Sequence, residues 1–322
     1  MKHFLISIDT EGDDFFHWSP GDKITTENTR YVPRFQELCD KYGFKPTYLT
    51  NYEMASDGRF VEYAKNWLAE DRCEIGMHLH AWNSPPLYEL EKRDDIKPGD
   101  CSFLIEYPEE IIREKVEFLT DYLEAQFGVK PVVHRAGRWT TNQYYFDVLN
   151  EFGYIADCSV TPGMDMSAAR GFTEGSHGTD YSDYPVNPYI IPNTGLLEVP
   201  MTVRENHTVK TDGNKRLRHK ARNIYKAWKG RGPIWLRPSG NNLKEMLYLA
   251  DRVLKEKQTD YLMFMLHTSE MMPGCSKAFP TEESIENMYS DLERLFKKVF
   301  ENFRGCTIGD YVRNKMKELT SI

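Results

Sequence analysis

Two short pairs of side chains stand out. His78 and His80 are separated by one residue at the end of an apolar run, and so are Asp9 and Glu11. Residues two apart on a β-strand face the same side, so each pair would present its groups together. Two imidazoles and one carboxylate suit a single divalent ion with one coordination position left for water, the ligand pattern of a hydrolytic metal site. Either Asp9 or Glu11 could be that carboxylate. Other apolar runs carry or end on Arg135, Asp157, Glu198 and His267. Charged groups at the ends of apolar strands need partners or a metal.

The elements that would position these groups follow from the hydrophobic pattern. Strand-like runs occupy residues 3–9, 46–50, 73–80, 132–139, 154–160, 196–203 and 261–267. Helical spacing occupies residues 30–42, 59–69, 108–127, 143–152, 242–255 and 282–303. The long helix at 108–127 opens on Pro-Glu-Glu and stops at Gly128, as start and stop signals require. Alternating strands and helices imply a parallel sheet. Seven such units predict an α/β fold, a distorted and incomplete (β/α)7 barrel in a single domain over 1–322. In a β/α barrel the active site forms at the C-terminal ends of the strands, where the charged residues listed above fall. Two long polar segments, 85–106 and 169–192, have the character of binding loops.

The chain has 322 residues and a net charge of −8, which argues against general nucleic-acid binding. Six cysteines lack CxxC spacing and are expected as free thiols. The first apolar run, cut off by Asp9, is too short for a signal-peptide core, and no stretch of 18 apolar residues exists. A cytoplasmic location is therefore expected. Residues 204–237 form a basic insertion, with eleven Lys or Arg against two acids. Interleaved Leu217, Ile224, Tyr225, Trp228, Ile234 and Trp235 would let it lie on an anionic membrane surface, so peripheral association and a lipid-linked substrate are further expectations.

The order of motifs resembles the polysaccharide deacetylases. Asp9-Thr10-Glu11-Gly12 looks like their first motif, Glu74-Ile75-Gly76-Met77-His78 like the lead into their histidine motif, and Arg135-Ala136-Gly137 like their arginine segment. Asp157 follows a Gly153-Tyr154 pair, and Leu266-His267 looks like their terminal Leu-His motif. The resemblance runs from about residue 3 to residue 303. It implies a divalent metal held by Glu11, His78 and a second histidine, with Asp9 as general base and His267 as general acid. Arg135 and Asp157 would orient the catalytic groups. The family's second metal histidine lies four residues after the first; here that position is Trp82, and His80 is the candidate. Zinc is the first choice, with Co, Ni, Mn or Fe as alternatives. The expected substrate is an acetylated sugar or glycan precursor. Trp82, Trp139 and tyrosines between 181 and 189 are candidate sugar-stacking groups. The alternatives are an amidohydrolase acting on a non-sugar C–N bond and an inactive glycan-binding relative.

Overall fold

A computed structural model describes residues 1–13, 23–97, 99–205 and 233–320. The strands are β1 (Lys2–Thr10), β2 (Thr47–Thr50), β3 (Glu74–Leu79), β4 (Val133–Ala136), β5 (Ala156–Asp157), β6 (Tyr189–Ile190), β7 (Leu197–Glu198), β8 (Val203–Arg204), β9 (Ile234–Trp235), β10 (Tyr261–His267) and β11 (Phe303–Gly305). The helices are α1 (Val32–Lys41), α2 (Tyr52–Ala55), α3 (Gly58–Ala69), α4 (Glu109–Phe127), α5 (Gln143–Glu151), α6 (Leu243–Lys255), α7 (Glu282–Phe300) and α8 (Ile308–Thr320).

Seven strands run parallel in the order β10-β1-β2-β3-β4-β5-β7, and β6 adds an antiparallel edge. The expected incomplete barrel is thus the observed architecture. Closure fails between β7 and β10, which share no ladder. Single hydrogen bonds seam that gap instead. The Met263 amide donates to Thr202 Oγ1 at 2.8 Å, and the Met265 amide to the Leu236 carbonyl at 3.1 Å.

Alternation along β1 separates two environments. Phe4, Ile6 and Ile8 point outward into the layer shared with the helices, while Leu5 packs inward with Leu49, Val133 and Met263. Ile308, Tyr311 and Val312 of α8 join this inner cluster. Outside, Phe296 of α7 meets Phe4, Phe35, Phe44 and Phe264 edge-on, with ring centroids 5.4–6.2 Å apart. Phe296→Ala should destabilise the protein by about 3–5 kcal/mol, read as a lower urea midpoint with unchanged slope.

The pattern-based strands at 154–160 and 196–203 contract to two residues each. Their chains stay extended beyond the ladder, since Cys158 and Val199 amides still donate to His134 and Asp157 carbonyls at 2.9 and 2.8 Å. Helix α8 and the short helix α2 were not expected from sequence. The basic insertion emerges from the antiparallel β8–β9 pair. Its interior, 206–232, lies outside the described residues, and with it the expectation of membrane binding. Among the described residues all six cysteines are free, and no helix is long and apolar enough to cross a membrane.

Candidate metal centre

The strand ends bring Asp9, Glu11, His78, His80 and His267 around one cavity of 340 Å³, with Gly99, Cys101, Trp82, Trp139, Arg138 and Arg237 completing its walls. Strand register explains the meeting. Asp9 pairs with His267 between β1 and β10, and His78 pairs with Arg135 between β3 and β4. His78 and His80 share the inner face, as their spacing requires. Close backbone packing permits it. A side chain at Gly76 would meet the Val133 carbonyl and Leu49 at 2.7 Å, and one at Gly137 would meet the Leu79 carbonyl at 2.5 Å and the His80 ring at 2.7 Å.

Glu11, His78 and His80 are buried, and one ligand atom from each lies within 4.8 Å of the others. His80 Nε2 is 3.3 Å from Glu11 Oε2, and His78 Nε2 is 3.8 Å from it. His78 Nδ1 lies 3.0 Å from the Arg135 carbonyl, which fixes that nitrogen as donor and turns Nε2 toward the cavity. His80 Nδ1 lies 3.4 Å from the Asn51 amide and 3.9 Å from Glu53, and its ring stacks on Trp82 at 4.4 Å. Two imidazoles and a carboxylate of this spacing fit a divalent ion. Trp82 thus backs the His80 ring.

Asp9 and His267 flank this trio. Arg135 donates to Asp9 Oδ1, to Ser7 Oγ at 2.8 Å and to the Cys158 carbonyl at 3.0 Å. Asp9 Oδ2 is left facing His78 Nε2 at 3.9 Å and His267 Nε2 at 3.7 Å. Burial acts to raise the Asp9 pKa, but Arg135, His78 and His267 outweigh it and hold the carboxyl below its usual range. Burial likewise opposes ionisation of Glu11, and the three histidines outweigh it, so that its pKa falls far below the ordinary value. His267 Nδ1 and its own amide both lie 3.0 Å from Glu270 Oε2, while Arg237 donates to Glu270 Oε1 at 2.6 Å. Burial would lower the His267 pKa, yet Glu11 and Glu270 raise it overall. Burial would raise Glu270, but Arg237 and His267 take it down to about 2.

Asp157 stands apart from this group. Its carboxylate accepts from His134 Nδ1 at 2.6 Å and from Ser159 at 2.9–3.0 Å, on the face of β4 and β5 opposite the Arg135 side chain. It sits against Glu198, whose pKa burial and Asp157 together push well up. Tyr181 is also no stacking surface: it is buried, and its hydroxyl donates to the Trp139 carbonyl.

Sequence reasoning missed Glu53, Asn51, Arg237, Glu270 and Arg138 as parts of the site. Glu270 carried a signal, three residues after His267. Arg237, two residues beyond β9, came from a strand hidden in the basic segment. Arg138 and Trp139 follow Gly137 with φ of 60° and 64°. Two bulky residues in the left-handed region cost about 1–3 kcal/mol each, and propensity cannot foresee them.

No family model matches the chain, and no curated protein matches it in sequence. Solved structures do. A candidate polysaccharide deacetylase from Mycobacterium smegmatis is 15% identical, with 98% of this chain and 91% of that one covered and a TM-score of 0.51. A 4-α-glucanotransferase from Thermococcus litoralis is 13% identical over 97% of this chain and 40% of its own, with a TM-score of 0.54. A GH57 branching enzyme from Thermococcus kodakaraensis is 10% identical over 97% and 71%, with a TM-score of 0.50. The chain therefore has the incomplete β/α barrel fold that these three proteins share.

Proposed function

We propose that the chain is a metal-dependent deacetylase that hydrolyses the N-acetyl group of a sugar or glycan precursor. The observation that carries this reading is the buried Glu11–His78–His80 trio set between an arginine-held carboxylate and a carboxylate-held histidine. Its resemblance in motif order to the polysaccharide deacetylases and its likeness in fold to the Mycobacterium smegmatis protein support the same reading. The glucanotransferase and branching enzyme share the fold, but retaining glycosyl transfer needs a carboxylic acid beside a carboxylate nucleophile. Here Asp9 is held by Arg135 and Glu11 faces His78 and His80, so neither cavity carboxylate is placed as the free acid of such a pair.

A divalent ion held by Glu11, His78 and His80 would supply a Lewis acid for the acetyl carbonyl and lower the pKa of a bound water. Arg135 holds Asp9 so that Oδ2 faces the reacting region, and Asp9 accepts the proton of the attacking water. Glu270 holds His267 Nδ1, leaving Nε2 to deliver a proton to the departing nitrogen. Water and amide are consumed; acetate and the free amine result.

The test is metal content together with acetate release from N-acetylated mono- and oligosaccharides. Protein dialysed against zinc should carry one ion per chain and release acetate, and chelation should stop release. His78→Ala and His80→Ala should each lose the ion. Repeating the assay with Co, Ni, Mn and Fe identifies the preferred metal. Wild-type protein that takes up no ion would overturn the reading. Bound metal with hydrolysis only of small non-sugar amides would replace the substrate class.

A further inference from the structure

The cavity carries one cation that the proposed reaction does not use. Arg135 is matched by Asp9 and Arg237 by Glu270. Arg138 lines the same cavity and, among the described residues, has no carboxylate within ion-pair distance. Its Nη1 donates to the carbonyls of Cys101 and, at 3.0 Å, Arg170. Its guanidinium carbon lies 4.3 Å from the centre of the Phe103 ring. Neutral carbonyls and a ring face orient the group but do not cancel its charge, and arginine does not shed its proton. The Nε–Nη2 edge of the fork makes no hydrogen bond to a described residue.

A charge in a partly buried wall, whose nearest carboxylates Asp100 and Glu106 act only from beyond ion-pair distance, is unfavourable on its own. Here it is also held by two consecutive left-handed residues, Arg138 and Trp139, a conformation that surrounding structure must impose. The turn cannot relax toward β3, because Gly137 already packs against the Leu79 backbone and the His80 ring. The chain thus fixes a guanidinium in the wall of the cavity that holds the candidate metal centre.

We propose that Arg138 is a specificity-determining residue that binds an anionic group, a carboxylate or a phosphate, on the substrate. The geometry of a guanidinium edge suits both, through two parallel hydrogen bonds. This rests on the reading of the cavity as the substrate site. The acetylated sugar is then an acidic one, such as a uronic acid or a sugar phosphate, and the neutral analogue binds less well. Trp139, the next residue, supplies an aromatic wall beside the anion.

The test measures binding by calorimetry with zinc-loaded protein carrying Asp9→Asn, so that the ligand is not consumed. Four probes share one scaffold: N-acetylglucosamine, its 1-phosphate, its 6-phosphate and its 6-carboxylate. At least one anionic probe should bind about tenfold or more tightly than the neutral sugar. Which probe gains separates phosphate from carboxylate and one ring position from the other. Arg138→Gln should erase the difference. Should that variant not fold, Arg138→Met retains the aliphatic stem over Phe103 and serves the same purpose. Four equal affinities would overturn the proposal, as would an Arg138 variant that weakens neutral and anionic probes alike, the mark of a merely structural arginine. Acetate release by protein with Asp9 intact is measured in parallel. An anion preference without acetate release would retain the binding site and discard the deacetylase reading; release without preference would do the reverse.

Discussion

Asp9→Asn is expected to lower acetate release by about 10²–10⁴-fold, the range general acid–base groups contribute. The substitution preserves shape and still accepts a hydrogen bond from Arg135, but an amide cannot take a proton from water. Metal content should persist, because Glu11, His78 and His80 are unchanged. Stability should fall as well. Asp9 and Arg135 are fully buried partners, and removing one charge of such a pair costs about 3–5 kcal/mol by stranding the other. These two losses are separable. Adding Arg135→Met to Asp9→Asn removes the stranded charge, so part of the stability should return while activity does not. Wild-type turnover in Asp9→Asn would show that Asp9 is only the counter-ion of Arg135. Full recovery of activity in the double variant would point the same way.

The parts of this molecule that repeat were legible, and the parts that break the repeat were not. β1 and β10 are read directly from Phe4-Leu5-Ile6 and Leu262-Met263-Phe264, because a strand buried on both faces is continuously apolar. Period 2 is also enough to place His78 with His80 and Asp9 with Glu11 on shared faces, and the structure gathers these four with His267. Asp157 shows the limit. The same period puts it on the opposite face from Arg135, where His134 and Ser159 take its oxygens, yet the motif order alone gave no face. Arg237 reaches Glu270 from a segment whose charge suggested a membrane-facing insertion; the β8–β9 pairing brings it to the cavity instead. Arg138 depends on a left-handed turn that follows the closely packed Gly137. Side chains fixed by long-range contacts, and backbone held in unfavourable regions, leave no local trace.

His267→Ala should lower acetate release by about 10²–10⁴-fold with metal content intact, since no other described side chain is placed to protonate the departing nitrogen from its side of the cavity. The pH profile gives the stronger test. Burial alone would lower the His267 pKa, and Glu270, held on Nδ1, acts to raise it. A general acid must hold its proton, so activity should be present below this pKa and fall as pH rises through it. Glu270→Gln removes one of the raising charges and leaves Arg237, which lowers the His267 pKa, unopposed. The alkaline limb of kcat/KM should therefore move to lower pH. If His267 were instead the proton acceptor, activity would require the neutral ring, and the same substitution would move an acidic limb downward and widen the active range. A variant whose alkaline limb stays at its wild-type position would separate His267 from the proton transfer altogether, whatever its effect on the rate.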